Sequence, residues 1–153
     1  MENYINAWCY TISLNKISKR DLSKAFVVAR LLKEGYMVLE PFSENSKYDL
    51  VIDLEGKFVR IQVKTIYYKN DLCVYEMICY STTRKNKKYI KTKYTPHEVD
   101  FIIGYNSDKD EVYTFPIRDI AGRHQIVFRE NRKANQYSPL DVKNYLGFSK
   151  LRS

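Results

Sequence analysis

The chain has 153 residues, of which 44% are hydrophobic and only five are Gly and four Pro. This composition excludes a disordered or low-complexity protein and predicts a single domain over residues 1–153 with one buried core. Lys and Arg number 26 against 18 Asp and Glu, a formal net charge of +8, which favours a polyanionic partner, although a basic surface also simply keeps a protein soluble.

The cysteines indicate the compartment. Cys9, Cys73 and Cys79 are odd in number and lack the CxxC spacing of a zinc site, so they favour a reducing, cytoplasmic setting over a disulfide framework. The first ten residues lack a basic segment followed by an apolar run, and no stretch of about 18 apolar residues occurs. We therefore expect no secretion and no membrane insertion.

A helix is predicted over about 19–34. Ser18 and Asp21 form a capping-box pattern at its start, and Gly35 supplies a left-handed cap at its end. Apolar residues recur between these caps at the spacing typical of one helix face: Leu22, Ala25, Phe26, Ala29 and Leu32.

Three strand-like runs follow, at 36–40, 47–54 and 57–67, divided by Pro41, a polar turn and Gly56. The second and third runs are joined by only a few residues, so they should form an antiparallel hairpin. In the third run the side chains alternate between two faces: Phe58, Arg60, Gln62 and Lys64 on one, and Val59, Ile61 and Val63 on the other.

The second half of the chain predicts an antiparallel-rich extension of the sheet and a short closing helix. Strands are expected where β-branched or aromatic residues stand between turn signals: 72–80, 99–105, 111–116 and 125–128. Ser138 resembles an N-cap with Pro139 at the first helical position, and Gly147 resembles a C-terminal cap.

A run of cations lies between residues 84 and 93, without any acid: Arg84, Lys85, Lys87, Lys88, Lys91 and Lys93. A solvated loop is one interpretation. Charges packed this densely repel one another unless an anion neutralises them, so contact with phosphates is the favoured one. The candidate contacts outside the run are Arg60, Tyr67 and Lys69.

The predicted hairpin brings three polar side chains towards one place. Asp49 starts an otherwise apolar strand, and Gln62 and Lys64 share one face of the paired strand. Phosphodiester hydrolysis needs such a set, a divalent cation held by oxygen ligands and a group that acts on the attacking water. Composition alone favours a plainer interpretation, a turn residue and the wet face of an amphipathic strand.

The order of these elements changes that balance. Residues 19–67 resemble the pattern of PD-(D/E)XK nucleases. In that pattern a helix and a strand are followed by an Asp-bearing strand, a short turn and a last strand. The last strand ends in an acid or amide, any residue, and Lys. Residues 35–65 are similar, more narrowly, to the bacterial homing endonucleases encoded within group I introns, and residues 99–129 are similar to the rest of that family. Three motifs are in register: the Pro41-Phe42 turn, the strand from Tyr48 to Ile52, and the strand end from Gln62 to Thr65.

The resemblance implies an α/β, restriction-endonuclease-like core over about 19–67, with a mixed central sheet, an N-terminal helix and an antiparallel-rich extension. Residues 68–153 would read DNA and form oligomer contacts. It also implies Asp49, Gln62 and the carbonyl of Val63 as ligands of Mg²⁺ or another divalent cation. Lys64 would polarise water or stabilise the transition state.

The chain departs from the family at two positions. Gln62 replaces the usual second acid, and its amide oxygen can still meet a hard cation. Lys24 stands where the family carries Glu in the first helix, and a cation there would compete with the metal. Either Asp21, one turn away, compensates for the lost carboxylate, or cleavage by this chain is impaired.

The other polar candidates have simpler explanations. His97 and His124 are isolated and lack metal-site spacing, Asp53 and Glu55 suit a turn, and no Gly-rich phosphate loop occurs.

Three hypotheses therefore remain. The first is a sequence-specific Mg²⁺-dependent homing endonuclease that acts on double-stranded DNA. Its subunit is small for cutting both strands, which implies at least a homodimer, and the resemblance leaves room for a homotetramer. The second is a DNA-binding module with impaired catalysis, and the third is a structure-selective junction resolvase of the same fold.

Overall fold

The computed structural model describes residues 18–43, 45–129 and 140–152 of the chain. Its helices and strands, in chain order, are α1 (Lys19–Lys33), β1 (Met37–Leu39), β2 (Leu50–Leu54), β3 (Lys57–Lys69), β4 (Val74–Ile78), β5 (Tyr80–Lys85), β6 (Lys88–Lys93), β7 (Phe101–Asn106), β8 (Glu111–Pro116), α2 (Ile117–Ile120) and β9 (Gln125–Phe128). Two short 3-10 segments follow, Val142–Tyr145 and Ser149–Arg152.

Seven of these strands form one mixed sheet around the long strand β3. β1 pairs with β2 and β2 with the first part of β3, both antiparallel, whereas β7 runs parallel to the middle of β3. β4 pairs with the last residues of β3, β9 with β4, and β8 with β7, all antiparallel. The expected mixed sheet, N-terminal helix and antiparallel-rich extension are all present.

Two apolar clusters pack on opposite faces of this sheet. Ile61 and Val63 of β3 belong to the cluster that includes buried residues of α1, and Ile66 belongs to a second cluster with buried residues of β4, β7 and β8. Odd and even positions of a strand point to opposite faces, so β3 contributes to both. In the described part of the chain, no helix is long and apolar enough to cross a bilayer.

Helix α1 has the predicted bounds but a different buried face. Ser18 accepts a hydrogen bond from the Asp21 amide at 3.1 Å, and Gly35 has φ +85°, so both predicted caps are confirmed. The buried residues are Ser23, Val27 and Leu31, whereas four of the five residues in the predicted stripe are exposed: Ala25, Phe26, Ala29 and Leu32. Apolar residues occur on two sides of this helix, and the sheet selects the side with the branched Val27.

The predicted hairpin of β2 and β3 is confirmed. Glu55 (φ 53°) and Gly56 (φ 86°) occupy a two-residue turn between the paired residues Leu54 and Lys57. Both central residues need positive φ in the turn that matches the twist of the strands, and Gly adopts it without strain. The Gly56 amide donates to the Asp53 carboxylate at 2.7 Å, which gives Asp53 the turn role expected from the sequence.

The cation run is a second hairpin and not a loop. β5 and β6 pair antiparallel from Tyr80 opposite Lys93 to Lys85 opposite Lys88, and Asn86 and Lys87 form the turn with φ of 50° and 62°. We call residues 80–93 the arm. The single strand predicted at 72–80 therefore ends at Ile78, and the chain enters the arm two residues later. The Thr, Tyr and Ile residues of the arm are good strand formers, but its many charges obscured that signal in the sequence.

The predicted closing helix is replaced by the short 3-10 segment at Val142–Tyr145. Its N-cap is Asp141, whose carboxylate accepts from the Lys143 amide at 3.2 Å. Gly147 has the predicted positive φ of 74°, but its amide donates to the Val112 carbonyl at 2.9 Å and joins this segment to β8. The predicted caps Ser138 and Pro139 lie outside the described residues, as does Cys9.

Candidate active site

Asp49 lies just before β2, against the middle of β3. Its backbone N–H donates to the Ile61 carbonyl at 2.9 Å, and its Oδ2 accepts from the Val63 amide at 2.9 Å. The Gln62 Nε2 donates both to the same Oδ2 and to the Val63 carbonyl, the latter at 3.1 Å. The three predicted metal ligands therefore meet where the β2–β3 pairing ends.

This donor set fits a magnesium ion. Mg²⁺ prefers oxygen ligands and is commonly held by one or two carboxylates, with water and substrate phosphate completing its shell. The Gln62 side chain directs its Nε2 towards the Asp49 carboxylate. Rotating the side-chain amide by 180° would present Oε1 there instead, as a metal ligand. In residues 18–43, 45–129 and 140–152, no three His, Cys, Asp or Glu side chains gather into a metal-binding group, so Asp49 would supply the charge.

Lys64 lies on the same face of β3, two residues beyond Gln62. Its Nζ donates to the Tyr80 carbonyl at 3.0 Å and lies 4.9 Å from the centre of the Tyr94 ring. Burial lowers the pKa of Lys64 to about 8, because it disfavours the charged ammonium more than the negative charge of Asp49 favours it, and Arg20 lowers it further. A lysine with a lowered pKa beside a carboxylate is a candidate catalytic group.

Arg20, on the first turn of α1, is a candidate site residue that no pattern in the sequence indicates. Its guanidinium lies 3.4 Å from Asp49 Oδ1, and its side chain is 73% exposed. Lys24, predicted to place a cation beside the metal ligands, lies 3.3 Å from the Glu40 carboxylate instead. The Asp21 carboxylate accepts from the Ser18 hydroxyl, so it serves the helix cap.

A buried hydroxyl pair holds the first turn of α1 against the site. The oxygens of Ser23 and Thr65 are 2.7 Å apart, both side chains are buried, and Ser23 also donates to the Lys19 carbonyl. Thr65 follows Lys64 on β3, so this contact brings Arg20 to Asp49. No local signal in the sequence predicts it, because the two hydroxyls are 42 positions apart.

The predicted DNA contacts outside the arm are engaged within the chain. The Arg60 guanidinium forms two hydrogen bonds with the Asp100 carboxylate, at 2.8 and 3.0 Å, and donates to two backbone carbonyls. The Arg60 backbone amide donates to the same carboxylate at 2.8 Å. Lys69 lies 3.6 Å from the Glu76 carboxylate, and the half-exposed Tyr67 ring lies 5.7 Å from the ammonium of Lys19. Arg60 therefore has a structural role whether or not it also meets DNA.

The arm presents its cations on an exposed ribbon. The Arg84 guanidinium lies 5.9 Å from the ring centre of Tyr89, its cross-strand partner, and the Lys91 ammonium lies 4.9 Å from the ring centre of Tyr80. Lys93 donates to the Gly122 carbonyl at 2.7 Å and so ties the base of the arm to the body. Three exposed cations cluster at the far end: Lys85, Lys87 and Lys88. His97 and His124 are also exposed.

The model of the PD-(D/E)XK endonuclease family matches residues 14–146. The chain belongs to the PD-(D/E)XK endonuclease family. Its structure is also similar to that of I-Ssp6803I, a bacterial homing endonuclease, with 25% sequence identity and a TM-score of 0.75 over 88% of this chain and 90% of that one. A comparison with curated protein sequences finds no match. The predicted family and fold class are confirmed, and nucleases of this family typically use a divalent metal ion.

Proposed function

We propose that this nuclease hydrolyses phosphodiester bonds in double-stranded DNA at a specific sequence, with Mg²⁺, as an intron homing endonuclease. The observation that carries the proposal is that Asp49, just before β2, lies against Gln62 of β3, with Lys64 two residues further along the same face and a strongly basic arm beside it. The similar solved structure, described as a bacterial homing endonuclease, supports the finer assignment.

Asp49, Gln62 and the Val63 carbonyl would hold the metal ion. When bound, a divalent cation stabilises the charge that develops on the scissile phosphate and makes water a better nucleophile. Asp49 is kept in place by the Val63 amide, which donates to Oδ2, and its other oxygen faces Arg20. The residues thus hold one carboxylate in a fixed orientation, as in-line attack on phosphorus requires.

Lys64 would act on the reacting groups directly. A protonated lysine has three N–H donors, of which one meets the Tyr80 carbonyl, so two remain for a water molecule or a phosphate oxygen. A neutral lysine could instead accept a proton from water, and its lowered pKa makes that form accessible near pH 8.

The arm would bind the DNA. A two-stranded ribbon fits the major groove, and exposed Lys and Arg side chains contribute affinity by releasing counterions from phosphates. One subunit carries a single set of Asp49 and Lys64, so cutting both strands at one target favours a homodimer or homotetramer.

A catalytically impaired DNA-binding protein is the second candidate. Arg20 favours it, because a guanidinium beside Asp49 repels a metal cation. Under this alternative the natural chain binds DNA without cutting it, and Arg20→Gln combined with Lys24→Glu raises cleavage. If the double variant instead cleaves more slowly than the natural chain, Arg20 would be a residue that binds the DNA phosphate.

The test is selection of cleaved and bound duplexes from a randomised library, with and without Mg²⁺. We expect the natural chain to cut a defined sequence only with Mg²⁺. Asp49→Asn should remove cleavage and Mg²⁺ dependence together, because the amide still accepts from Val63 but carries no charge. Asp53→Asn is the matched control, since its amide oxygen can still cap the turn at Gly56. Metal-dependent cutting by Asp49→Asn would overturn the assignment, and preferential cutting of branched DNA would indicate a junction resolvase.

A further inference from the structure

The two ends of the arm meet at Lys64. Tyr80, the first residue of β5, accepts the hydrogen bond from Lys64 Nζ at 3.0 Å. Tyr94 follows the last residue of β6, and its ring centre lies 4.9 Å from the same Nζ. The side chain of Lys64 is therefore held by the strand that enters the arm and by the segment that leaves it.

These contacts differ in kind from an ion pair. A carbonyl oxygen and the face of an aromatic ring attract an ammonium but bring no negative charge of their own. They can orient the nitrogen without neutralising it, so its charge stays available to a phosphate. Tyr94 is only 6% exposed, which makes its ring a firm support.

The base of the arm is coupled as one unit. Tyr80 lies opposite Lys93 in the β5–β6 register, and Lys93 donates to the Gly122 carbonyl at 2.7 Å. Residues 82–93 are all exposed, so the outer ribbon is open to a ligand while its base is attached. A displacement of the ribbon moves Tyr80 and Tyr94 together, because cross-strand hydrogen bonds join β5, which begins at Tyr80, to β6, which Tyr94 directly follows.

We propose that the arm positions Lys64, so that engagement of DNA by the arm sets the place of the lysine at the reacting phosphate. Tyr94 is the positioning residue in this device, and the Tyr80 carbonyl is its partner. The inference rests on the proposed function, since it assigns a regulatory role to the arm at the same site. It predicts that Tyr94 affects the cleavage step more than DNA binding.

The experiment compares full-length variants on a duplex that the natural chain cuts. The rate is measured in single turnover with enzyme saturating over DNA, and affinity is measured separately without divalent ion. Tyr94→Leu should lower the rate about tenfold and leave affinity within about threefold, whereas Tyr94→Phe, which keeps the ring, should restore the rate to within about threefold.

Tyr75→Leu is the matched control. Tyr75 is also 6% exposed, and its ring also lies close to a lysine, Lys109 at 5.4 Å, away from Lys64. It should destabilise the fold to a similar extent and leave the saturated cleavage rate unchanged. Equal rate losses in Tyr94→Leu and Tyr75→Leu, or a natural rate in Tyr94→Leu, would overturn the proposal.

A spectroscopic measurement separates this inference from the proposed function. The Tyr94 ring should shift the NMR signals of the Lys64 side-chain methylene protons, and Tyr94→Leu should abolish that shift. Adding duplex DNA should change the chemical shift of these Lys64 protons in the natural chain. Changing Lys85, Lys87 and Lys88 of the arm to Gln should suppress that change. If the chain binds DNA without cutting it, the proposed function fails while this result still supports the coupling. An unchanged Lys64 signal on DNA binding contradicts the coupling.

Discussion

The hairpin of β2 and β3 and the hairpin of β5 and β6 share one local design. Each has antiparallel strands joined by a two-residue turn with positive φ, Glu55-Gly56 in the first and Asn86-Lys87 in the second. The first lies inside the main sheet, with the interior-facing side chains of β3 buried, whereas the second forms a separate two-stranded sheet whose outer residues are exposed.

The position of a hairpin in the fold decides what its lysines can do. Lys64 on the first is largely enclosed, and burial lowers its pKa to about 8. The lysines at the end of the arm are exposed, where water and salt screen their charges and phosphates can reach them. Burial therefore suits a lysine for a catalytic role, whereas exposure suits it for binding phosphates.

Among the changes that test this comparison, Lys64→Ala should have the largest effect, and the effect should be on the rate of DNA cleavage. Cleavage should fall on the order of a thousandfold, because a charged group at the reacting phosphate is lost, while affinity for DNA stays within about tenfold. Single-turnover cleavage and a binding titration without metal measure the two quantities. Lys57→Ala, the same charge change at the start of β3, is the control. Joint loss of binding and folding in Lys64→Ala would make Lys64 structural.

Gly104→Ala tests how tightly the enclosed region is packed. Gly104 pairs with Lys64 across β7 and β3, and an added Cβ would lie 2.6 Å from the Met77 sulfur and 2.9 Å from Ile66 Cδ1. We expect a loss of about 1–3 kcal/mol in the free energy of unfolding, measured with urea. An added methyl on the arm, Ser81→Thr, should change it by less than about 0.5 kcal/mol. Equal losses of stability in Gly104→Ala and Ser81→Thr would contradict the difference in packing between the main sheet and the arm.

Neutralising the end of the arm tests the exposed lysines of this comparison, and it should act first on DNA binding. Changing Lys85, Lys87 and Lys88 to Gln should weaken DNA binding and flatten its log-log salt dependence by up to about three units. The matched control removes the same charge outside the arm: Lys33, Lys57 and Lys143. Base preference should stay the same if the arm touches only phosphates, and an altered preference would place the arm in a groove where it reads bases.

Local signals accounted for most of the elements and for the meeting of three candidate site residues. Caps delimited α1 at Ser18 and Gly35, and strict alternation assigned Gln62 and Lys64 to one face of β3, where the structure has them. Local signals failed for the arm, because its charges concealed strand-forming residues and a turn at Asn86. They also failed for the buried face of α1, because two apolar sides compete and only packing selects one.

The sequence by itself determined the caps of α1, the turn between β2 and β3 and the alternation that brings Asp49, Gln62 and Lys64 together, since each depends on residues close along the chain. Only the tertiary structure decided that Arg20 lies beside Asp49, that Lys24 turns to Glu40, and that Tyr80 and Tyr94 hold Lys64. Those contacts join residues up to 30 positions apart on different elements, and they depend on how α1 and the arm pack against the sheet, which no local pattern records.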